Sequence, residues 1–169
     1  MTFGVFAGAT LLFRLLGALG VRRFTTWRVS AAHGLAVMLV MTASAHFAPD
    51  GLEFMPGHAS LTAMVPPFVP FPSLVVSVTG VLELLGALGL VVARTRRAAG
   101  WCLAALLVGL LPANVHAALA DVPLGDEPPT PLWLRIPEQA GYVAVALAAA
   151  RSRTRGRQVD PPSPAVDVT

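Results

Sequence analysis

The chain of 169 residues has no lysine, a single cysteine and little charge of either sign: charged residues make up 12 % of it, against 55 % hydrophobic. A water-soluble domain draws about a quarter of its residues from the charged types. With a mean hydropathy of +0.69, an ordinary soluble domain is excluded and lipid is the expected solvent. One cysteine, Cys102, excludes an internal disulfide and any Cys-pair metal or redox motif; its expected role is helix packing. Without lysine, all 12 basic residues are Arg, and most stand in short clusters beside apolar runs. That placement fits membrane topology and argues against a nucleic-acid partner, despite a pI near 10.4.

Crossing a hydrocarbon layer of about 30 Å takes roughly 20 apolar residues in a helix. Five runs meet that need, at about 3–21, 28–48, 73–92, 98–120 and 132–150. The expected fold class is therefore all-α, a polytopic membrane helix bundle. No basic residue precedes the first run, whereas Arg22, Arg23 and Arg28 follow it. A cleavable signal peptide carries its charge at the other end, so residues 1–22 are expected to form a retained transmembrane helix with its N-terminus outside.

Charge alternates through the later connections. Arg94, Arg96 and Arg97 precede the fourth run, and Arg151, Arg153, Arg155 and Arg157 follow the fifth. Segments 49–72 and 121–131 carry Asp50, Glu53, Asp121, Asp126 and Glu127 and no Arg. By the positive-inside rule the Arg clusters face the cytoplasm and the acidic segments face outward, which places the C-terminus in the cytoplasm of a multi-pass cell-membrane protein. Segment 49–72 is too apolar and proline-rich for a free loop, so it is expected as an interfacial hook with a helical turn or two around 58–64. Residues 151–169 lack an apolar face and are expected to be a disordered tail.

Within the runs, each ionisable residue needs a partner or a purpose, because a charge near the bilayer centre costs roughly 2.5–3.5 kcal/mol. Glu83 and Arg14 lie deepest. They also occupy matching places in a repeat, since Leu15-Leu16-Gly17-Ala18-Leu19-Gly20 recurs as Leu84-Leu85-Gly86-Ala87-Leu88-Gly89 at an offset of 69. Those opposite signs suggest an Arg14–Glu83 ion pair; the alternatives are an Arg14 that snorkels to the headgroups and a Glu83 that is protonated and hydrogen-bonded. Toward the outer side, His46 follows Thr42 on one face, and Asn114 and His116 follow the kink expected at Pro112. Arg135, Glu138, Gln139 and Tyr142 recur at i, i+3, i+4 and i+7, one polar stripe. Facing inward, the stripe would bring Glu83, His46, Asn114, Arg135, Glu138 and Gln139 into a polar pocket for ligand binding or proton transfer. No HxxxH or ExxH motif supports a metal there, and His33, His58 and the three Trp residues read as packing or interfacial groups.

The order Ser44-Ala45-His46-Phe47, Val65-Pro66-Pro67, Thr79 to Leu90, Arg94 to Gly100, Pro112-Ala113-Asn114-Val115 and Pro131 to Gln139 resembles the DoxX family of small bacterial membrane proteins over about residues 30–150. The resemblance implies a four-helix core over residues 28–150, preceded by an added N-terminal transmembrane helix. It also implies a membrane subunit or accessory protein of a quinone-linked or thiol-redox system, with quinone as a possible cofactor and a redox enzyme as a possible partner. A non-enzymatic scaffold for a partner protein and a small-solute or lipid transporter are the alternatives, and whether the chain is an enzyme is left open.

Overall fold

Gly20 ends the first helix. At φ +103° it adopts a left-handed turn, so that Val21 N–H reaches Leu16 O at 3.0 Å and Gly20 N–H reaches Gly17 O at 3.3 Å. These two bonds make a Schellman stop, which satisfies carbonyls the helix would otherwise leave open. In the computed structural model, which describes residues 2–49, 52, 55–124 and 128–151, that helix is α1, Thr2–Ala18. A short 3-10 turn at Arg22–Phe24 follows. Thr26 then caps α2, Trp27–Ala45, by accepting from Val29 N–H.

The next elements are α3 (His58–Met64), α4 (Pro72–Val91), α5 (Arg96–Leu119) and α6 (Leu132–Ala150). Pro72 at the first turn of α4 suits a helix start, where its missing N–H has no partner to lose. The described residues form no β-strand. Asp50, Glu53, Asp126, Glu127 and the tail from residue 152, all assigned positions by the sequence, lie outside the described residues.

Packing follows from where the small and large apolar residues fall. α2 packs on α1, α4 and α6, while α5 packs on α4 and α6, and α3 lies against α4 and α5. Leu35 and Leu39 of α2, Leu90 of α4 and Leu103 of α5 are fully buried between them, joined by Ala146 and Ala149 of α6. At Gly100 of α5 a Cβ would lie 2.5 Å from Ala146 O, so α5 and α6 touch backbone to backbone.

The outer faces are apolar as well: Leu11, Leu15, Leu82, Leu85, Leu88 and Val108 are all exposed. Three helices, α2, α4 and α5, are long and apolar enough to cross a membrane. α1 is apolar but has 17 residues. α6 has 19, with Arg135, Glu138 and Gln139 in its first half. Of the five runs expected to span, three therefore qualify by length and composition.

Candidate functional site

Thr42 and His46 are four residues apart on α2, and Thr79 and Glu83 are four apart on α4. Each pair therefore shares a helix face, and the packing of α2 on α4 turns the two faces toward each other. Gly80 makes the approach possible: a Cβ there would sit 2.6 Å from His46 Cβ.

His46 is buried, and its Nδ1 lies 2.6 Å from Val76 O. A carbonyl can only accept, so Nδ1 carries a proton and donates it. Thr79 Oγ1 stands 3.4 Å from the same nitrogen, and its own hydroxyl is directed to Val75 O and Val76 O at 2.9 and 3.0 Å. The ring is thus oriented by the α4 backbone, with Nε2 facing Glu83 Oε1 at 3.8 Å.

Glu83 is 5 % exposed. Its Oε2 lies 2.9 Å from Thr42 Oγ1, which also stands 3.1 Å from Leu39 O. One hydroxyl proton serves both positions, so two arrangements fill the geometry. With Glu83 ionised, Thr42 donates to the carboxylate. With Glu83 neutral, the carboxyl donates to Thr42 and Thr42 donates to Leu39 O. Each state of the carboxyl finds its partner without moving a helix.

A chain of bonds continues from His46 to the end of the bundle. His46 O accepts from His58 Nδ1 at 2.7 Å, and His58 Nε2 lies 2.8 Å from Ser73 Oγ. His58 of α3 thereby ties the end of α2 to the start of α4. His116 Nδ1 donates to Met64 O at 3.1 Å and ties the other end of α3 to α5.

The stripe on α6 meets α5. Arg135 directs Nε and Nη2 to Asn114 Oδ1 at 3.2 and 2.8 Å, and its Nη1 stands 3.9 Å from Glu138 Oε2. Asn114, Arg135, Met64 and Thr130 line a cleft in which the space open to the centre of a water molecule is about 10 Å³. That holds about one water. Gln139 is directed elsewhere, donating to Leu107 O at 2.6 Å in the turn ahead of Pro112.

Of the expected pocket residues, His46 and Glu83 stand as one pair and Asn114, Arg135 and Glu138 as a second group, while Gln139 bonds to backbone. The Arg14–Glu83 pair requires correction. No ion pair within 4.0 Å joins them among the described residues; the Arg14 guanidinium lies 5.5 Å over the Trp27 ring, at the end of the bundle where α2 begins. Glu83 takes Thr42 and His46 instead, because α4 packs on α2 while α1 lies on another side of it. Thr79, His58 and Ser73 were not among the expected site residues, although the i, i+4 spacing of Thr79 and Glu83 was there to be read. The described residues contain no group of three His, Cys, Asp or Glu side chains placed to hold a metal.

Residues 35–150 match the model of a family described as a domain of unknown function, DUF8561. No curated protein and no solved structure matches the chain. The likeness to DoxX is therefore overturned. It rested on the order of short Leu-, Ala-, Gly- and Pro-containing runs, which recur in small membrane bundles because they serve helix packing and turns rather than chemistry.

Proposed function

We propose, from the premise that the chain belongs to the DUF8561 family, whose description assigns no activity, that it is an integral membrane protein built around a proton-exchanging pair, Glu83 and His46. In this reading α2, α4, α5 and α6 form a four-helix membrane core and α1 is an added span, with the Arg-rich ends of the helices in the cytoplasm. The observation that carries it is the single Thr42 hydroxyl placed between Leu39 O and Glu83 Oε2. A buried carboxyl that served packing alone would need one bonding pattern, whereas this one is provided with a pattern for each protonation state. Ionisable residues kept inside membrane bundles commonly lie on proton or substrate paths.

A quinone-linked system is one chemical setting for such a pair, because reducing a quinone takes up protons. The Asn114–Arg135 cleft has space for about one water, so no headgroup is proposed there. The thiol-redox expectation had no support apart from the DoxX likeness and is not carried further.

Infrared spectroscopy of the purified protein tests the proposal. The native-minus-variant difference spectrum against Glu83→Gln, in which the signals of the other carboxyls cancel, is expected to contain one protonated-carboxyl component whose intensity changes with pH. A difference component that does not change with pH, or no difference at any pH, overturns the assignment.

A second reading, a non-enzymatic scaffold, is favoured by the closeness of the Arg135–Asn114 contact, which leaves the outer seam of the bundle filled rather than open. The Glu83 difference signal would then not change with pH, and Glu83→Gln would leave the binding of a partner as it was.

A further inference from the structure

Arg23 and Arg96 lie far apart in the chain and meet on one atom. Arg23 Nη2 donates to Val91 O at 2.5 Å, and Arg96 Nη2 donates to the same oxygen at 3.2 Å while its Nε donates to Leu90 O at 2.7 Å. Bonds of 2.5 and 3.2 Å to a shared oxygen put the two Nη2 nitrogens within 5.7 Å of each other. The last carbonyls of α4 explain why a cation comes here; they do not balance two.

The side-chain charge around this point is of one sign. Arg22, Arg28, Arg94 and Arg97 are exposed on the turns that flank it. The first turns of α2 and α5, which begin at this end, contain no acidic residue. The described acidic residues are Glu83, Asp121 and Glu138; Glu83 stands near the middle of α4, eight residues before Val91, bonded to Thr42, and Asp121 and Glu138 belong to the opposite half of the bundle. Beside the cluster stand exposed apolar groups, Leu88, Val92 and Trp101, at 62, 42 and 52 % exposure.

We propose that this end of the bundle binds the phosphate headgroup of an anionic phospholipid, held between the guanidinium groups of Arg23 and Arg96. Each Arg spends part of its donor fork on the Val91 and Leu90 carbonyls and keeps further N–H groups for phosphate oxygens. Leu88, Val92 and Trp101 provide the apolar surface that acyl chains require, which a free phosphate would leave uncovered. The proposal rests on the membrane reading and is independent of the Glu83–His46 pair.

The test uses the whole chain in lipid nanodiscs, with phosphatidylglycerol or phosphatidylcholine as the probe, and native mass spectrometry to count retained lipids. The native protein is expected to retain phosphatidylglycerol roughly ten-fold more strongly than phosphatidylcholine. Arg23→Gln with Arg96→Gln should abolish the preference, and Arg23→Lys with Arg96→Lys should keep part of it, since charge survives while the fork is lost. Equal retention of the two lipids by the native chain, or an undiminished preference in the Gln variant, overturns the proposal. Suppression of the preference by millimolar inorganic phosphate would overturn the lipid assignment in favour of a free-anion site. If the Gln variant fails to fold, the Lys variant decides: a preference equal to the native one counts against the paired guanidinium site. Failure of the membrane reading is seen separately, as loss of nanodisc insertion by the native chain.

Discussion

His46 Nε2 stands 3.8 Å from Glu83 Oε1, beyond hydrogen-bond reach, while the opposite nitrogen of the same ring is bound to Val76 O at 2.6 Å. The backbone of α4 therefore sets the ring, and the carboxyl is free to change its proton without losing its neighbour. Two groups so placed should be energetically coupled. In a double-substitution cycle of His46→Gln and Glu83→Gln, followed by unfolding in detergent, a coupling of about 0.5–3 kcal/mol is expected. Additive losses, to within about 0.5 kcal/mol, would mean that the two side chains do not act as a pair.

Gly80 controls how near α2 comes to that pair. A Cβ at this position would lie 2.6 Å from His46 Cβ and 2.9 Å from His46 Cγ, neither of which is the free end of a flexible chain. Gly80→Ala should therefore force the helices apart and lower stability by about 1–3 kcal/mol. Gly109→Ala, also in a helix interior but with nothing within 4 Å of the added atom, should be neutral or stabilising, because alanine is the better helix former by about 1 kcal/mol. Equal melting temperatures for the two variants would refute the close-approach argument.

Much of this arrangement was legible in the sequence, and what was not has physical causes. Apolar runs and Arg clusters located the long helices, because the length of a run and the sign of its flanks are local properties. The polar stripe on α6 was legible for the same reason: i, i+3 and i+4 spacing defines a face without reference to any partner. Which face meets which helix is a property of packing. Arg14 and Glu83 matched in depth and opposed in sign, yet α1 lies against α2 away from the Glu83 face, and Arg14 settles on Trp27. Gln139 likewise lay on the expected stripe, but the bond it makes is to Leu107 O in the turn ahead of Pro112, a partner that a side-chain pattern does not announce. The DoxX likeness failed at another level, since an order of helix-packing motifs is shared more widely than a family.

Arg135 and Asn114 provide a third test. Two guanidinium donors converge on one amide oxygen in a cleft with space for about one water. Asn114→Leu keeps the approximate volume and removes the acceptor, so a loss of about 1–3 kcal/mol is expected from the half-buried donors left unmatched. Asn114→Asp supplies a charged acceptor for the same fork and should retain the native stability or exceed it. If thermal unfolding places the Leu variant level with the native chain, the contact contributes nothing and the cleft is wet enough to replace it.

The proposed orientation is testable with the cysteine chemistry of the chain itself. Cys102 is free and exposed, so labelling has to start from Cys102→Ser. Leu19 and Ala93 are exposed on the turns beside the Arg clusters, and Phe68 and Pro123 are exposed on the connections at the opposite end. Each can carry a single introduced cysteine without disturbing a hydrogen-bonded side chain. An impermeant maleimide applied to intact cells should label Phe68→Cys and Pro123→Cys, and should reach Leu19→Cys and Ala93→Cys only after lysis. The complete reverse would keep the spans and invert the protein, contradicting the positive-inside assignment. Discordance within a pair has a different meaning: Leu19 and Ala93 on opposite sides would require an odd number of crossings between α1 and the α4–α5 turn, incompatible with α2 and α4 both spanning.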